Sequence, residues 1–383
     1  MEFGDRKLTM ARIPLVDLAC QHREIAEEVR AGFARVMEMG AYILGPPVKE
    51  FEEAFARFSG VRHCVGVASG TDALELVLRA LGVGDGDEVI LPANTFVATA
   101  LAVRRAGAWP GLVDSDPAFH LIDTEQARAR VGPRTRAIVP VHLYGQVAPI
   151  EELADLARDV VIVEDAAQAQ GARRHGRVAG GFGVAAGTSF YPGKNLGAYG
   201  DAGAVLTNSD EVARKVRTLR NYGSEVKYHH PEVGFNSRLD TLQAIVLQAK
   251  LSRLSAWNEA RREAARRYDE LLARLPAVER PRTLEGNEHI WHLYVVRVPH
   301  RDQVLERLHA AGIGAGIHYP LPIHLQGAFR ALGHGPGDFP VAEKAASEVL
   351  SLPLYPGITA EQQAEVVDAL EDALGRAYAK ERP

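Results

Sequence analysis

From Val61 onward the chain alternates short apolar runs with amphipathic stretches of helical period. Residues 63–67 read as a strand and 71–81 as a helix; 88–91 and 95–105 repeat the pair, followed by a short strand at 111–113. Residues 136–141 predict a strand and 149–158 a helix. Residues 160–163 are four consecutive apolar positions, which suits a parallel strand covered on both faces. Two more strands are predicted at 186–191 and 202–207. Strands alternating with helices predict an open α/β sheet with helices on both sides.

Residues 238–275 break this rhythm. They favour helix, contain no Pro or Gly, and predict one long connecting helix that ends at Pro276. A strand at 292–298, a helix at 301–311, a Gly-rich turn into Ile317 and helices near 341–349 and 359–377 then predict a smaller α+β domain. The division expected is a large domain over 13–250 and a small C-terminal one over 251–383. Residues 1–9 are polar and without period, and the first structured stretch is expected at 13–18.

A length of 383 residues agrees with two domains and allows a large core without staples. The formal charge of −5 carries no block of like charge, so no nucleic-acid partner is expected, and the Arg-rich run 260–267 reads as a solvated helix face. Cys20 and Cys64 lie outside any CxxC or His-spaced cluster and read as buried thiols rather than a disulfide or metal site. No signal-peptide pattern and no apolar run of about 18 residues occurs, so the expectation is a cytoplasmic protein that does not span a membrane.

Three constellations carry chemistry. Ala68-Ser69-Gly70-Thr71-Asp72 stands between a strand and a helix, where small residues let backbone N–H groups and a helix N-terminus close on an anion; an ordinary N-cap would look the same. Val163-Glu164-Asp165 puts a carboxylate at the end of a buried strand, at the crevice edge where α/β sheets bind ligands. Such an Asp can keep a pyridine nitrogen protonated, or simply cap the next turn. Ser189-Phe190-Tyr191-Pro192-Gly193-Lys194-Asn195-Leu196-Gly197 sets a lysine among Gly and Pro just after a strand. Burial there would favour the neutral amine that attacks an aldehyde; a surface-loop lysine is the alternative. Their order suits a pyridoxal-phosphate site, with Phe96 as a ring to stack on the cofactor or as core packing.

These strings, with AYILGP at 41–46, FEE at 51–53, EDAAQ at 164–168, GDAG at 200–203 and NSRLDTLQ at 236–243, resemble the DegT/DnrJ/EryC1/StrS family of pyridoxal-phosphate-dependent sugar aminotransferases over nearly the whole chain. The resemblance implies the fold type I, aspartate aminotransferase-like architecture: a large, mostly parallel-sheet domain plus a smaller C-terminal α+β domain. It implies Lys194 as the Schiff-base lysine, Asp165 at the pyridine nitrogen and Gln168 near the ring oxygen. Gly70, Thr71 and Ser189 would hold the phosphate, and Phe96 would stack on the ring. Asn236 would reach the phosphate of a neighbouring subunit in a homodimer with shared sites. Relatives that dehydrate sugars have His at the Schiff-base position; Lys194 therefore points to amino transfer. L-glutamate would load the cofactor as pyridoxamine phosphate, and a nucleotide-linked keto sugar would take the amine.

Residues 221–230 resemble the segment of enzymes that aminate a 3-keto-6-deoxyhexose, and 316–320 with Ile323-His324 resemble sugar-nucleotide members. Tyr222, Lys227, His229, His318, Tyr319 and His324 are the candidate substrate residues, with solvated or packed loop histidines as the plain alternative. The reading favours C3 of a dTDP-linked sugar over C4. A cyclitol aminotransferase, an aminodehydroquinate-type synthase and a non-catalytic pyridoxal-phosphate-binding regulator stay open.

Overall fold

The computed structural model describes residues 11–153 and 160–379, with side chains described to Ala377. Residues 1–9 and the second half of the helix expected at 149–158 lie outside the described residues; the described part of that helix, Ile150–Leu153, is a 3-10 turn.

Two helices precede the first strand, and neither was among the expected elements. α1 (Leu18–Met39) starts at Asp17, whose carboxylate accepts the N–H groups of Ala19 and Cys20, and ends at Gly40 with φ 63°. α2 is Pro46–Ser59, with proline in its first turn. The buried stripe of α1 includes Gln21 and Gly32, so its apolar signal is thin. Gly32 belongs there because a Cβ would sit 2.3 Å from Ile245 on the helix packed against it.

The main sheet follows: β1 (His63–Val67), α3 (Gly70–Ala80), β2 (Glu88–Pro92), α4 (Val97–Ala106), β3 (Trp109–Val113), α5 (Thr124–Arg130), β4 (Thr135–Ile138) and β5 (Val161–Asp165). A short hairpin of β6 (Arg173–Arg174) and β7 (Arg177–Val178) precedes β8 (Ala185–Ser189) and β9 (Gly203–Thr207). The strand order is β1-β9-β8-β5-β4-β2-β3, all parallel except β9, which is antiparallel to both neighbours. The carboxyl ends of β1, β2, β5 and β8 therefore meet on one edge. Helices α3, α4 and α6 (Asp210–Arg220) cover one face through Leu74, Val77, Val103 and Val216.

The single helix expected over 238–275 is two, α7 (Thr241–Leu251) and α8 (Leu254–Leu272). At the break the Ser252 hydroxyl takes the Ala249 carbonyl at 2.9 Å, a local bond that competes with the helical ladder. A second core joins α8 to β11 (Tyr294–Arg297), α9 (Arg301–Ala310), β12 (Val349–Leu352) and α11 (Ala360–Ala379) through Tyr268, Val296, Leu308, Leu350 and Leu370. β10 (Asn287–Glu288) extends the small hairpin, and α10 (Pro340–Glu348) leads into β12. The helix expected to run to 349 stops at Glu348, because Val349 turns extended to pair with Arg297.

The Arg-rich face of α8 is only partly solvated. Arg262 and Arg266 pair with Glu259, Glu263 and Glu270 at the surface. Arg261, 1% exposed, instead donates to the carbonyls of Trp291 and Leu354 at 3.1 Å and of His292 at 3.4 Å. Burial pushes its guanidinium down to about 10. Arg261→Met leaves these carbonyls unpaired and should cost about 3 kcal/mol, read as a lower urea midpoint with an unchanged slope.

Candidate active site

A cavity of about 510 Å³ opens at the carboxyl edge of the sheet, under the segment that carries His318 and Tyr319. Its floor is set at the end of β5. Glu164, fully buried, accepts the N–H groups of Gly180 at 2.7 Å, Phe182 at 2.6 Å and Gly183 at 2.7 Å, and bonds His142 Nε2 at 2.9 Å. His142 Nδ1 accepts the Ala148 N–H, which puts the ring proton on Nε2, facing the carboxylate. Strand alternation then turns Asp165 the opposite way, into the cavity. Its carboxylate accepts the Thr99 hydroxyl at 2.8 Å and the Ala167 N–H at 3.1 Å. Burial pushes its carboxyl up; those two bonds, and then Lys194, pull it back.

Lys194 stands in a closed turn after β8. Its N–H bonds Tyr191 O at 2.8 Å, and Ala198 N–H bonds Phe190 O at 2.7 Å. Gly197 is required here, since a Cβ would lie 2.2 Å from Pro192 O. The buried Lys250 ammonium donates to Gly197 O at 2.6 Å, and the Asn195 amide donates to Asn258 and to Ile290 O. Burial pushes the Lys194 amine down to about 8, against the pull of Asp165.

Beside it the chain builds an anion cup. Ser69 caps α3 by accepting the Asp72 N–H at 3.1 Å, so Gly70 and Thr71 begin the helix with N–H groups that have no partner inside it. A Cβ on Gly70 would be 2.6 Å from Ser189 Cβ, and one on Gly203 would be 2.4 Å from the Ser69 carbonyl carbon. Ser189 therefore faces the helix start directly. An anion cup, a lysine with a lowered pKa and a buried carboxylate in one cavity form a donor set that fits pyridoxal phosphate.

Phe96, half exposed, packs with Tyr319 at 5.3 Å between ring centres. Gln168 accepts the Tyr144 N–H at 2.7 Å and donates to the Tyr319 hydroxyl at 3.0 Å. His318 bonds Ser351 through Nδ1 at 2.8 Å; burial, then the charge of Lys194, pushes it down to about 4. Gly70, Thr71, Phe96, Asp165, Gln168, Ser189, Lys194, His318 and Tyr319 thus share the cavity.

The other candidates lie elsewhere. Tyr222, Lys227 and His229 are exposed on a loop outside the cavity lining, with Lys227 over the Tyr228 ring at 4.9 Å. Asn236 is exposed next to Ser237, which donates to Asp72 at 2.8 Å. His324 is buried, bonded to Glu343 at 2.9 Å and packed on Phe339; the Ile323 N–H docks on Ala93 O and turns this segment inward, off the cavity. Sequence reasoning missed Thr99, Tyr144 and His292. Thr99 had a signal: it lies three residues past Phe96 and so on the same side of α4. Among the described residues no group of three or more His, Cys, Asp or Glu is arranged to hold a metal ion, and no helix is long and apolar enough to cross a membrane.

This architecture and site define a fold type I pyridoxal-phosphate transferase. The chain belongs to the DegT/DnrJ/EryC1/StrS aminotransferase family, which matches residues 23–371. It is 45% identical over 364 residues to a pleiotropic regulatory protein of Geobacillus stearothermophilus, covering 94% of this chain and 98% of the relative. It is likewise 45% identical over 363 residues to the dTDP-3-amino-3,4,6-trideoxy-alpha-D-glucose transaminase of Streptomyces venezuelae, covering 94% and 96%. The crystal structure of S. venezuelae DesV superposes with a TM-score of 0.92 at 45% identity, over 97% of this chain and 99% of that one. Pyridoxal phosphate is the family's cofactor, and a solved relative 31% identical to this chain holds its pyridoxamine form.

The lowered amine has a direct readout. In cofactor-free protein, the labelling rate of Lys194 by an amine reagent should rise through a midpoint near 8 rather than near 10.5. Asp165→Asn removes a charge that favours the ammonium form, so the midpoint should move lower still. Peptide mapping across a pH series measures both.

Proposed function

We propose that this chain moves the amino group of L-glutamate to C3 of a nucleotide-linked 3-keto-6-deoxyhexose, with dTDP as carrier, in the cytoplasm, to make an amino sugar. The observation that carries the reading is the pairing of Lys194 with Asp165 in one cavity, the first with its amine lowered to about 8 and the second a buried carboxylate. A regulator without turnover has no need of that pairing.

Pyridoxal phosphate, when bound, supplies an electron sink that makes a proton on the carbon bearing the amine removable. Asp165 would hold the pyridine nitrogen protonated, as a charge pair strengthened by burial. The N–H groups of Gly70 and Thr71 with the Ser189 hydroxyl would take the phosphate, Phe96 would cover the ring, and the Gln168 amide would meet the ring oxygen. The Lys194 amine, neutral in good part near pH 8, would accept the proton from one carbon and return it to the other. His318 and Tyr319 would meet the sugar hydroxyls.

The C3 assignment draws on the Streptomyces venezuelae relative and on the segment Tyr222-Gly223-Ser224 with Lys227 and His229. The exposed places of Tyr222, Lys227, His229 and Asn236, outside their own cavity, support a homodimer in which they serve the partner's site. His324 is left out of the substrate set. The proposed division at 250/251 puts Lys194 and Asp165 on the large domain and His318 and Tyr319 on the small one.

Lys194→Ala should abolish turnover, and borohydride treatment of the loaded wild type should fix the cofactor to Lys194 alone. Asp165→Asn should lower kcat by about 10³, since a buried charge-assisted partner is worth several kcal/mol. For the substrate, enzyme loaded with pyridoxamine phosphate is mixed with 3-keto and with 4-keto sugar nucleotides, and the new amine is located by NMR. Amine at C3 is the expected product. Amine at C4 alone overturns the regiochemistry and keeps the aminotransferase. No transfer to any keto sugar overturns the reading.

A further inference from the structure

Tyr144 is engaged at every polar group it has. Its N–H donates to Gln168 Oε1 at 2.7 Å, its carbonyl accepts the Leu293 N–H at 3.2 Å, and its hydroxyl donates to the carbonyl of His318. Its φ is 60°, a left-handed conformation that a bulky residue rarely adopts and that persists only where neighbours hold it. The side chain is buried, with the ring edge of His120 6.0 Å away between centres. Gln168, with its oxygen fixed by Tyr144, must present its NH₂ to the Tyr319 hydroxyl, 3.0 Å away. One residue thus grips two parts of the cavity wall: the Gln168 amide on one side and the His318 backbone on the other.

We propose that Tyr144 is a positioning residue for substrate selection, which sets the place of the Tyr319 hydroxyl through the His318 carbonyl and through Gln168, and so governs how tightly the keto-sugar nucleotide is held. This rests on the sugar aminotransferase reading. The Tyr144 ring is outside the cavity lining, so it acts without touching substrate. Removing its hydroxyl leaves the part-buried His318 carbonyl short of a donor and loosens the 316–319 segment, which Ser351 and Gln168 still hold.

The test is Tyr144→Phe in the cofactor-loaded enzyme, which keeps the ring and the backbone N–H. KM for the keto-sugar nucleotide should rise about tenfold while kcat falls less than about threefold, the range expected for one part-buried hydrogen bond that sets a binding wall. Hydrogen exchange at the amides of 316–319 should speed up in the same variant. Tyr319→Phe should raise KM to a similar degree, and the double variant should be no worse than the poorer single one, because both remove one element. Unchanged KM, an equal loss in kcat, or additive effects of the two substitutions would each overturn the proposal. Should the wild type turn over no keto sugar, the function reading fails on its own; unchanged exchange at 316–319 would then still count against the Tyr144 hold.

Discussion

The site depends on one buried carboxylate that does no chemistry. Glu164 meets three backbone N–H groups and one imidazole, so both its oxygens are spent inside the fold. A carboxylate in that position without such partners would cost several kcal/mol. With them it locks the last residues of β5, the turn at 180–183 and His142 into one piece. Asp165 can then be held aimed into the cavity, although burial alone opposes its charge. A similar arrangement appears at Lys194, whose turn is held from outside by Lys250 and, through Asn195, by Asn258 and the Ile290 carbonyl.

Burial opposes both charges, and each charge eases the other's burial. The carboxyl of Asp165 rises and the amine of Lys194 falls, while each counters the shift of its neighbour. The result is one cavity that holds a carboxylate and an amine, each disfavoured in its charged form by burial and favoured in it by the other. A lysine in water would stay charged near neutral pH, and an exposed aspartate would be screened.

The parallel strands were legible because strands covered on both faces must be apolar throughout, as at 160–163. The order of Ser69-Gly70-Thr71, Asp165 and Lys194 was legible because each stands just beyond such a strand. α1 escaped notice because its buried stripe contains Gln21 and Gly32, and β12 because Val349–Leu352 continues a helical pattern without a break in composition. Arg261 looked like its neighbours on α8; only the packing of the small sheet shows which arginine turns inward. His292 lines the cavity, while Thr99 holds Asp165 and Tyr144 holds Gln168 from behind it; the three come from separate elements, so no local string announces them. His324 failed in the opposite direction: its string resembled a substrate segment, but the carbonyl of Ala93 draws its turn into the core.

β1 and β8 are not neighbours in the sheet; β9 runs between them. They touch at the cup only because β9 begins with Gly203, over which Ser69 and Gly70 step across to Ser189. Position 203 therefore works as a spacer of zero thickness. A methyl group there would pry the helix start away from Ser189 at the end of β8 and widen the cup. Neither the lysine nor any phosphate donor would have changed. A variant at this glycine would look remote from the chemistry in any catalogue of contacts, yet would show itself as a looser hold on the cofactor, made good by surplus cofactor.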